Sequence, residues 1–421
     1  MNHPSEDILG EVNNYLDGRE IVIGVTGSVA LYKSVDLVRW ILRRNGRVAV
    51  VLSKEAAKLV SPELFRWASG GPVYVEFGGD VEHIILARRA SAAAIAPATL
   101  ASISKIAYGI VDTSVTLMAV SVKGYGKPVV ISPAMHGNMY ATHQFREAID
   151  KLKAMGFKII EPEVRKGVAR FPSIHFIGRT VAALARRGCE DLRGVKALVT
   201  AGPTREWIDR VRFISNPSSG AMGVEVAMEL WARGAKVDLV AGHLAVEAPH
   251  AIKTYRVNTT EDMARRVEEL TSATRYDVII GAGAPVDFRP ERSFKGKLKS
   301  GQSVSIRLEP TPKVLESVVK PPKALVAFAA EHVENLEELE VKALEKLEKY
   351  SADFIVANRV GLEGVGFASP HLEAILVDKK GVKKLGKVHK EVVAAFIADK
   401  VAEILGAEGC GAQKSQYRGR G

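Results

Sequence analysis

Short runs of apolar, mostly β-branched residues alternate along this chain with longer segments whose apolar residues recur at helical spacing. In the first half these runs span 21–27, 48–53, 92–98 and 128–135. Nearly continuous apolar runs are typical of strands buried on both faces, and their alternation with helices indicates a parallel α/β sheet. The pattern therefore predicts a doubly wound sheet in the first half.

A second series of runs follows a charged, glycine-flanked segment at 185–194. Its members span 196–204, 236–242, 277–287, 324–331 and 353–360. The segment 185–194 is typical of a linker, and 421 residues exceed what one hydrophobic core usually supports. We expect an α/β protein with two doubly wound, Rossmann-like or flavodoxin-like three-layer domains and mainly parallel sheets, at 1–189 and 190–421.

Two elements of the second half can be predicted in more detail. Leucine and alanine recur at helical spacing over 336–347, with Glu–Lys pairs four residues apart on the other face, so we expect a surface helix. The segment 374–386 predicts a hairpin that turns at Lys380-Gly381. It would add an antiparallel edge to the second sheet.

Composition narrows the class of protein and its location. Hydrophobic residues make up 47% and charged residues 25%, as in ordinary globular proteins. No apolar run reaches the roughly 18 residues that span a bilayer, and the N-terminus is too polar for a signal peptide. We expect a cytoplasmic protein without a membrane partner. Cys189 and Cys410 lie far apart with no further ligands, which argues against a disulfide framework and a zinc site.

The formal net charge of +11 raises the question of nucleic-acid binding. The basic residues are spread along the whole chain, and no recognition helix or RNA-binding motif accompanies them. Anionic small molecules explain the surplus equally well, so we expect small-molecule substrates and no nucleic acid.

The first predicted strand runs through a glycine-rich turn, residues 24–30, into a helical pattern. Such a turn lets the backbone approach a phosphate at a helix N-terminus. Because the spacing is not the full dinucleotide fingerprint, a mononucleotide is the better interpretation. Ser53, the stretch 96–99 and the stretch 133–136 follow the next three strands. All of them lie at the carboxyl ends of strands, where doubly wound sheets bind their ligands.

The turn, the Ala-Pro-Ala-Thr loop and the Pro-Ala-Met loop together resemble those of the flavin-binding cysteine decarboxylases, the family of phosphopantothenoylcysteine decarboxylase. The resemblance covers most of residues 20–145. It implies an FMN cofactor, with Gly27, Ser28, Ser53, Pro97 and Thr99 as its contacts. It also implies that the cysteine thiol is oxidised to a thioaldehyde, which lets the neighbouring carboxylate leave as carbon dioxide.

His83 matches the catalytic histidine of these decarboxylases, and imidazole suits proton transfer near neutral pH. The alternative interpretation is a surface histidine between two helices. His136 stands where the family has the asparagine that holds the substrate carboxylate, so His136 or Asn138 would take that role. The family's loop cysteine has no counterpart in 161–180. Either another group such as His175 completes the reaction, or this half binds flavin without turnover.

The stretches 201–206 and 211–223 supply hydroxyl and backbone N–H donors just before a helix, which suits anionic oxygens. They closely resemble the motifs of phosphopantothenate–cysteine ligase. That resemblance implies that Asn216 contacts the acyl-nucleotide intermediate, Arg212 the substrate and Asp287 the nucleotide.

Three lysines fall within 295–299. Taken alone, such a cluster is usually part of a solvated loop. The resemblance instead implies that Lys297 is catalytic and also contacts the nucleotide. Phe328 lies in a strand end that matches the family, which implies that it also contacts the nucleotide. Lys346 falls where a family lysine binds nucleotide phosphates. The family has a second position for this contact, which is Tyr350 in this chain.

Together the two resemblances imply a coenzyme A biosynthesis enzyme. Its ligase half joins 4′-phosphopantothenate and cysteine through an acyl-cytidylate made with CTP, and its flavin half decarboxylates the product to 4′-phosphopantetheine. Mg²⁺ would arrive with CTP, since no carboxylate cluster marks a resident metal site. A homo-oligomer is implied, with a dodecamer as one candidate.

Several alternatives stay open or are disfavoured. The sequence does not decide between CTP and ATP, and the flavin half could be a regulatory or scaffold domain that no longer decarboxylates. A nicotinamide-dependent dehydrogenase is disfavoured because the full fingerprint and its ribose-binding acid are missing.

Overall fold

The computed structural model describes residues 3–165 and 168–407. Residues up to Asp191 form one compact unit and Leu192–Ala407 a second. This division falls inside the segment 185–194 that the sequence predicts as a linker. The first residues of that segment are helical, however, because the last helix of the first unit continues to Arg187.

The first unit contains a six-stranded sheet in which every neighbouring pair is parallel. Its spatial order is β3-β2-β1-β4-β5-β6, and a separate antiparallel pair, β7 and β8, follows in the chain. The strands are β1 Glu20–Val25, β2 Arg47–Leu52, β3 Val73–Tyr74, β4 Ala92–Ala98, β5 Val129–Pro133, β6 Lys158–Ile159, β7 Glu163–Arg165 and β8 Val168–Arg170. The helices are α1 Tyr32–Leu42, α2 Lys54–Leu59, α3 Pro62–Ser69, α4 Glu82–Arg89, α5 Leu100–Ala107, α6 Ser114–Gly124, α7 Gly137–Tyr140, α8 His143–Ala154 and α9 Ile174–Arg187.

The strand order of this sheet decides where a ligand can bind. The chain winds outward from β1 through β2 to β3 and then returns to β4 on the other side of β1. At such a switch point the loops after the two central strands diverge and leave a crevice at the carboxyl edge. The loops after β1 and β4 therefore flank this crevice.

The second unit contains an eight-stranded sheet in the order β13-β12-β9-β14-β17-β18-β19-β20. It is parallel from β13 to β18, and β19 and β20 pair antiparallel at one edge. Its strands are β9 Lys196–Ala201, β12 Lys236–Ala241, β13 Lys253–Arg256, β14 Val278–Gly281, β17 Ala324–Glu331, β18 Phe354–Arg359, β19 His371–Asp378 and β20 Gly381–His389. Two short pairs lie outside it: β10 Glu206–Trp207 with β11 Phe213–Ile214, and β15 Phe288–Pro290 with β16 Leu308–Pro310. The helices are α10 Ala221–Ala232, α11 Thr260–Ala273, α12 Leu336–Lys349 and α13 Lys390–Ile404.

Both detailed predictions for the second half are confirmed. The helix α12 buries Leu339, Ala343 and Leu347. The hairpin forms, with its turn at 379–380, one residue before the predicted Lys380-Gly381. The doubly wound α/β class is also confirmed in both units.

Two further expectations concern the whole chain. The expectation that the cysteines do not pair is wrong at Cys189, which is disulfide-bonded; Cys410 lies outside the described residues. No helix in the described part of the chain combines the length and apolarity needed to span a membrane.

Candidate functional site

Thr26 connects the two loops that flank the crevice of the first sheet. It is buried at the end of β1, where its Oγ1 donates to the Pro97 carbonyl and accepts from the Thr99 backbone N–H, each at 2.9 Å. The backbone N–H of Thr26 also donates to the Pro97 carbonyl at 3.2 Å. The turn after β1 and the loop after β4 are thereby held in one arrangement.

Hydroxyl residues begin the helices around this crevice. Ser28 caps the 3-10 turn that leads into α1, Ser53 caps α2 and Thr99 caps α5. Gly27 packs against the first turn of α2, since a Cβ there would lie 2.6 Å from the Cβ of Glu55. Helix N-termini present backbone N–H groups to anions, so all five predicted flavin contacts lie at the edge where a phosphate would be bound.

His83 lies in the first turn of α4 and is half-buried. Its Nδ1 is buried and has no hydrogen-bond partner among the described residues. Val81, just before the helix, has a φ of 50°, which is strained for a β-branched residue. Because α4 leads into the amino end of β4, its first turn lies toward the carboxyl edge of the sheet. Strain and an unpartnered imidazole nitrogen at this edge favour a functional residue over an ordinary surface histidine.

His136 follows β5 at the same edge and is exposed. It caps the short helix α7, with its Nδ1 accepting from the Asn138 N–H at 3.4 Å. At the end of α7, the Tyr140 hydroxyl donates to the Glu161 carboxylate at 2.6 Å. Burial and this hydrogen bond raise the pKa of Tyr140, so its hydroxyl stays protonated.

In the second unit, two motif loops pack directly on each other at the carboxyl end of β9. Gly220, at the start of α10, has a φ of 76°, and a Cβ there would lie 3.1 Å from the Cα of Gly202. The Thr204 hydroxyl accepts from the Val286 N–H at 2.9 Å. The loops after β9 and β14 are therefore joined, as the loops of the first unit are.

A pocket opens beside these loops. Residues from the ends of β9, β14 and β17, from the segments after β14 and β16, and from the end of α12 line it: Thr200, Gly281, Gly283, Pro285, Val286, Asp287, Thr311, Pro312, Lys313, Val314, Leu315, Phe328 and Tyr350. Apolar walls with a few polar groups among them are typical of a small-molecule site. Two predicted nucleotide contacts, Asp287 and Phe328, are among these residues.

Asn216 lies against this pocket. Its Nδ2 donates to the carbonyl oxygens of Ala284 and Pro285 at 3.2 and 3.0 Å. Pro285 lines the pocket. The amide is thus oriented by the backbone of the loop that forms one wall.

Arg212 and the lysine loop are tied together by Asp209. Its carboxylate accepts from the Arg212 N–H at 2.7 Å, from the Arg212 guanidinium at 2.9 Å and from the Leu298 N–H at 3.1 Å. Burial opposes the ionisation of Asp209, but the backbone N–H groups of Val211, Leu298 and Arg212 and the Arg212 charge outweigh it and lower its pKa to about 2. The structure thus brings Arg212 and the backbone next to Lys297 together.

Two predicted lysines do not line the pocket. Lys297 is exposed on its loop, and Lys346 forms an ion pair with Glu331 at 2.7 Å. Lys313, which the sequence does not single out, lines the pocket and contacts Asp287 at 2.6 Å.

Sequence reasoning thus missed Thr26, Asp209 and Lys313. Thr26 lies within the glycine-rich turn 24–30, and Lys313 lies in the stretch 311–314, which resembles a ligase motif only loosely; the sequence assigned a role to neither. Nothing in the sequence marks Asp209, whose role depends on its contact with Leu298, 89 residues away in the chain.

Two family models match the chain, one over each unit. The flavoprotein family model matches residues 9–186, and the model of the DNA/pantothenate metabolism flavoprotein C-terminal domain matches residues 192–405. A solved structure of the C-terminal domain of a coenzyme A biosynthesis bifunctional protein CoaBC is 32% identical, covers 52% of this chain and 100% of that chain, and has a TM-score of 0.43.

Two curated relatives extend along both units. The coenzyme A biosynthesis bifunctional protein CoaBC of Thermococcus kodakarensis is 36% identical over 96% of this chain and 100% of the relative. The protein of the same name from Methanocaldococcus jannaschii is 34% identical over 96% of this chain and 98% of the relative. The chain therefore belongs to the family of coenzyme A biosynthesis bifunctional proteins CoaBC.

Proposed function

We propose that this chain is a bifunctional enzyme of coenzyme A biosynthesis. The second unit joins 4′-phosphopantothenate to CTP, forming an acyl-cytidylate and pyrophosphate, and cysteine then displaces CMP to give the amide. The first unit removes the cysteine carboxylate as carbon dioxide and yields 4′-phosphopantetheine. One observation carries this proposal: a match to CoaBC proteins along both units, each of which has motif residues at the carboxyl edge of its own parallel sheet.

The residues of the first unit fit a flavin mononucleotide. Helix N-termini capped by Ser28, Ser53 and Thr99 suit its phosphate. The buried Nδ1 of His83, without a partner in the described part of the chain, suits a group that bonds to a bound molecule. When bound, the flavin supplies reversible two-electron oxidation next to the cysteine sulfur.

The chain's own groups would supply binding and proton transfer. His83 would move a proton at the reacting cysteine, a role for which a positioned imidazole is suited. His136 is exposed at the same sheet edge. With its imidazole protonated, it would hold the substrate carboxylate. Tyr140 lies at the end of α7. Its hydroxyl keeps its proton and is oriented by the hydrogen bond that it donates to Glu161.

In the second unit, Asn216 would donate to the acyl-nucleotide from its backbone-fixed position beside the pocket. Arg212 and Lys297 lie on loops joined by Asp209. Their cations would stabilise oxygens that gain charge as the nucleotidyl group is transferred. Activation replaces a poor leaving group, hydroxide, by the nucleotide monophosphate.

Several finer points remain part of the proposal: CTP rather than ATP, Mg²⁺ bound with the triphosphate, a cytoplasmic location, and a homo-oligomer with a dodecamer as one candidate. Size-exclusion chromatography with light scattering tests the assembly. Initial rates with CTP and with ATP, at varied Mg²⁺, test the nucleotide and the metal.

The decisive experiment is anaerobic turnover of 4′-phosphopantothenate, cysteine and CTP, with pyrophosphate and carbon dioxide followed separately. We expect both products from the wild-type protein. His83→Asn should abolish carbon dioxide release and leave pyrophosphate release unchanged, because the two sites lie in different units.

The opposite outcomes separate the alternatives. A yellow protein that releases pyrophosphate but no carbon dioxide supports the hypothesis of a scaffold domain that has lost decarboxylation with the family's loop cysteine. A protein that releases neither product refutes the proposed function.

A further inference from the structure

The pocket of the second unit has both apolar and polar walls and carries little charge. Pro285, Val286, Val314, Leu315 and Phe328 supply apolar walls. Among the described residues that line it, the charged ones are Asp287 and Lys313. A polyanion that enters therefore meets one carboxylate and one ammonium group.

Asp287 and Lys313 form a close pair. The Lys313 Nζ lies 2.6 Å from the Asp287 carboxylate, and the two side chains are 40% and 65% exposed. The hydrogen bond that Lys313 donates to Asp287 raises the pKa of Lys313 above its ordinary value, so the ammonium group stays charged. An ammonium group has three N–H donors, and one is used by Asp287. The others can reach a ligand in the pocket.

We propose that Lys313 is the polyphosphate-binding cation of this pocket and that Asp287 holds it in position. The inference rests on the proposed function, because it assigns the nucleoside triphosphate to this pocket. Lys313 acts in two ways. It donates to phosphate oxygens, and it neutralises a carboxylate that would otherwise repel them at close range.

The neighbouring lysines are worse placed for this role. Lys346 is paired with Glu331 at 2.7 Å and does not line the pocket. Lys297 is exposed on the loop 294–299 and is likewise outside the lining. The phosphate contact that resemblance assigns to Lys346 is therefore assigned here to Lys313.

The test is titration calorimetry of the full chain with inorganic tripolyphosphate and with CTP, in EDTA so that added metal does not bridge the charges. Lys313→Gln should weaken binding of both about tenfold or more, as expected for loss of a charge-assisted hydrogen bond. Lys313→Arg should bind within a few-fold of wild type, since it keeps the charge. Asp287→Asn combined with Lys313→Gln should bind more tightly than Lys313→Gln, because the unpaired carboxylate is gone.

Lys342→Gln is the matched control. It removes the same charge from an exposed position on α12, where Lys342 pairs with Glu345 at 3.5 Å. The control should bind like wild type, and circular dichroism should show Lys313→Gln folded. Lys313→Arg extends the test if Lys313→Gln does not fold, because loss of binding by folded Lys313→Arg would overturn the inference.

Three results overturn it: wild-type protein that binds neither probe, Lys313→Gln that binds like Lys342→Gln, or Lys346→Gln that alone loses binding. Failure of the proposed function is distinct. It would appear as wild-type protein that binds tripolyphosphate through Lys313 yet forms no pyrophosphate from CTP and 4′-phosphopantothenate.

Discussion

Replacement of Thr26 by valine tests whether the two loops around the first crevice must be held together for flavin to bind. Valine has nearly the shape of threonine, so packing at the end of β1 is kept. The change removes the hydroxyl that donates to the Pro97 carbonyl and accepts from the Thr99 N–H. The Pro97 carbonyl keeps the Thr26 backbone N–H at 3.2 Å, whereas the Thr99 N–H loses its hydroxyl partner.

The magnitude follows from these two bonds. A hydrogen bond contributes a net ~0.5–1.5 kcal/mol, and an unsatisfied buried donor costs about 1–3 kcal/mol. The arrangement of the loops should therefore lose about 1.5–4.5 kcal/mol of stability. Since about 1.4 kcal/mol corresponds to a factor of ten, the Kd for FMN should rise by about one to three orders of magnitude if binding requires this arrangement.

The assay is fluorescence titration of flavin-free protein with FMN, together with the flavin content of the protein as purified. Thr26→Ser is the control, because it keeps the hydroxyl and loses only a methyl group. We expect near wild-type affinity for Thr26→Ser and weak binding for Thr26→Val. Equal affinities of Thr26→Val and wild type would refute the reasoning, and so would a Thr26→Ser variant as weak as Thr26→Val.

The remaining predictions concern single positions in both units. Asn216→Asp should lower the rate of pyrophosphate formation at least about tenfold, because a carboxylate would face the Pro285 carbonyl instead of donating to it; Asn216→Ala with an unchanged rate would contradict this. Asp209 has a pKa of about 2 instead of 3.8, so its ionised form stabilises the fold above pH 3.8 and that stabilisation is lost as the pH falls through 2. Chemical denaturation should therefore show Asp209→Asn less stable than wild type at neutral pH, with the difference shrinking between those two pH values; a constant difference would contradict it. Gly27→Ala should lower flavin content, because its Cβ would overlap the Cβ of Glu55 and displace the start of α2; a fully flavinated variant would show that α2 can move without harm.

Much of the architecture could be predicted from periodicity. The runs at 21–27, 92–98 and 324–331 coincide with β1, β4 and β17, because strands buried on both faces need nearly continuous apolar residues. The short pairs β10–β11 and β15–β16 were not predicted. Their strands have two or three residues each, and so few residues carry no periodic signal.

Some residues of the candidate sites could likewise be predicted from the sequence, and others could not. Ser28, Ser53 and Thr99 could be found because each follows a strand directly, and a residue just after a parallel strand lies at the carboxyl edge whatever the rest of the fold does. Lys346 shows the limit of sequence position, since it pairs with Glu331 and is not among the residues that line the pocket.

The sequence by itself determined the two α/β units, most strands of their two main sheets and the edge of each sheet at which polar residues gather, because these depend on local patterns of burial and capping. Only the tertiary structure decided which polar groups meet. Thr26 bonds to residues more than seventy positions away, and Asp287 pairs with Lys313 across two strands and a loop. Such contacts depend on how distant segments fold together, and no local pattern encodes the distance between them.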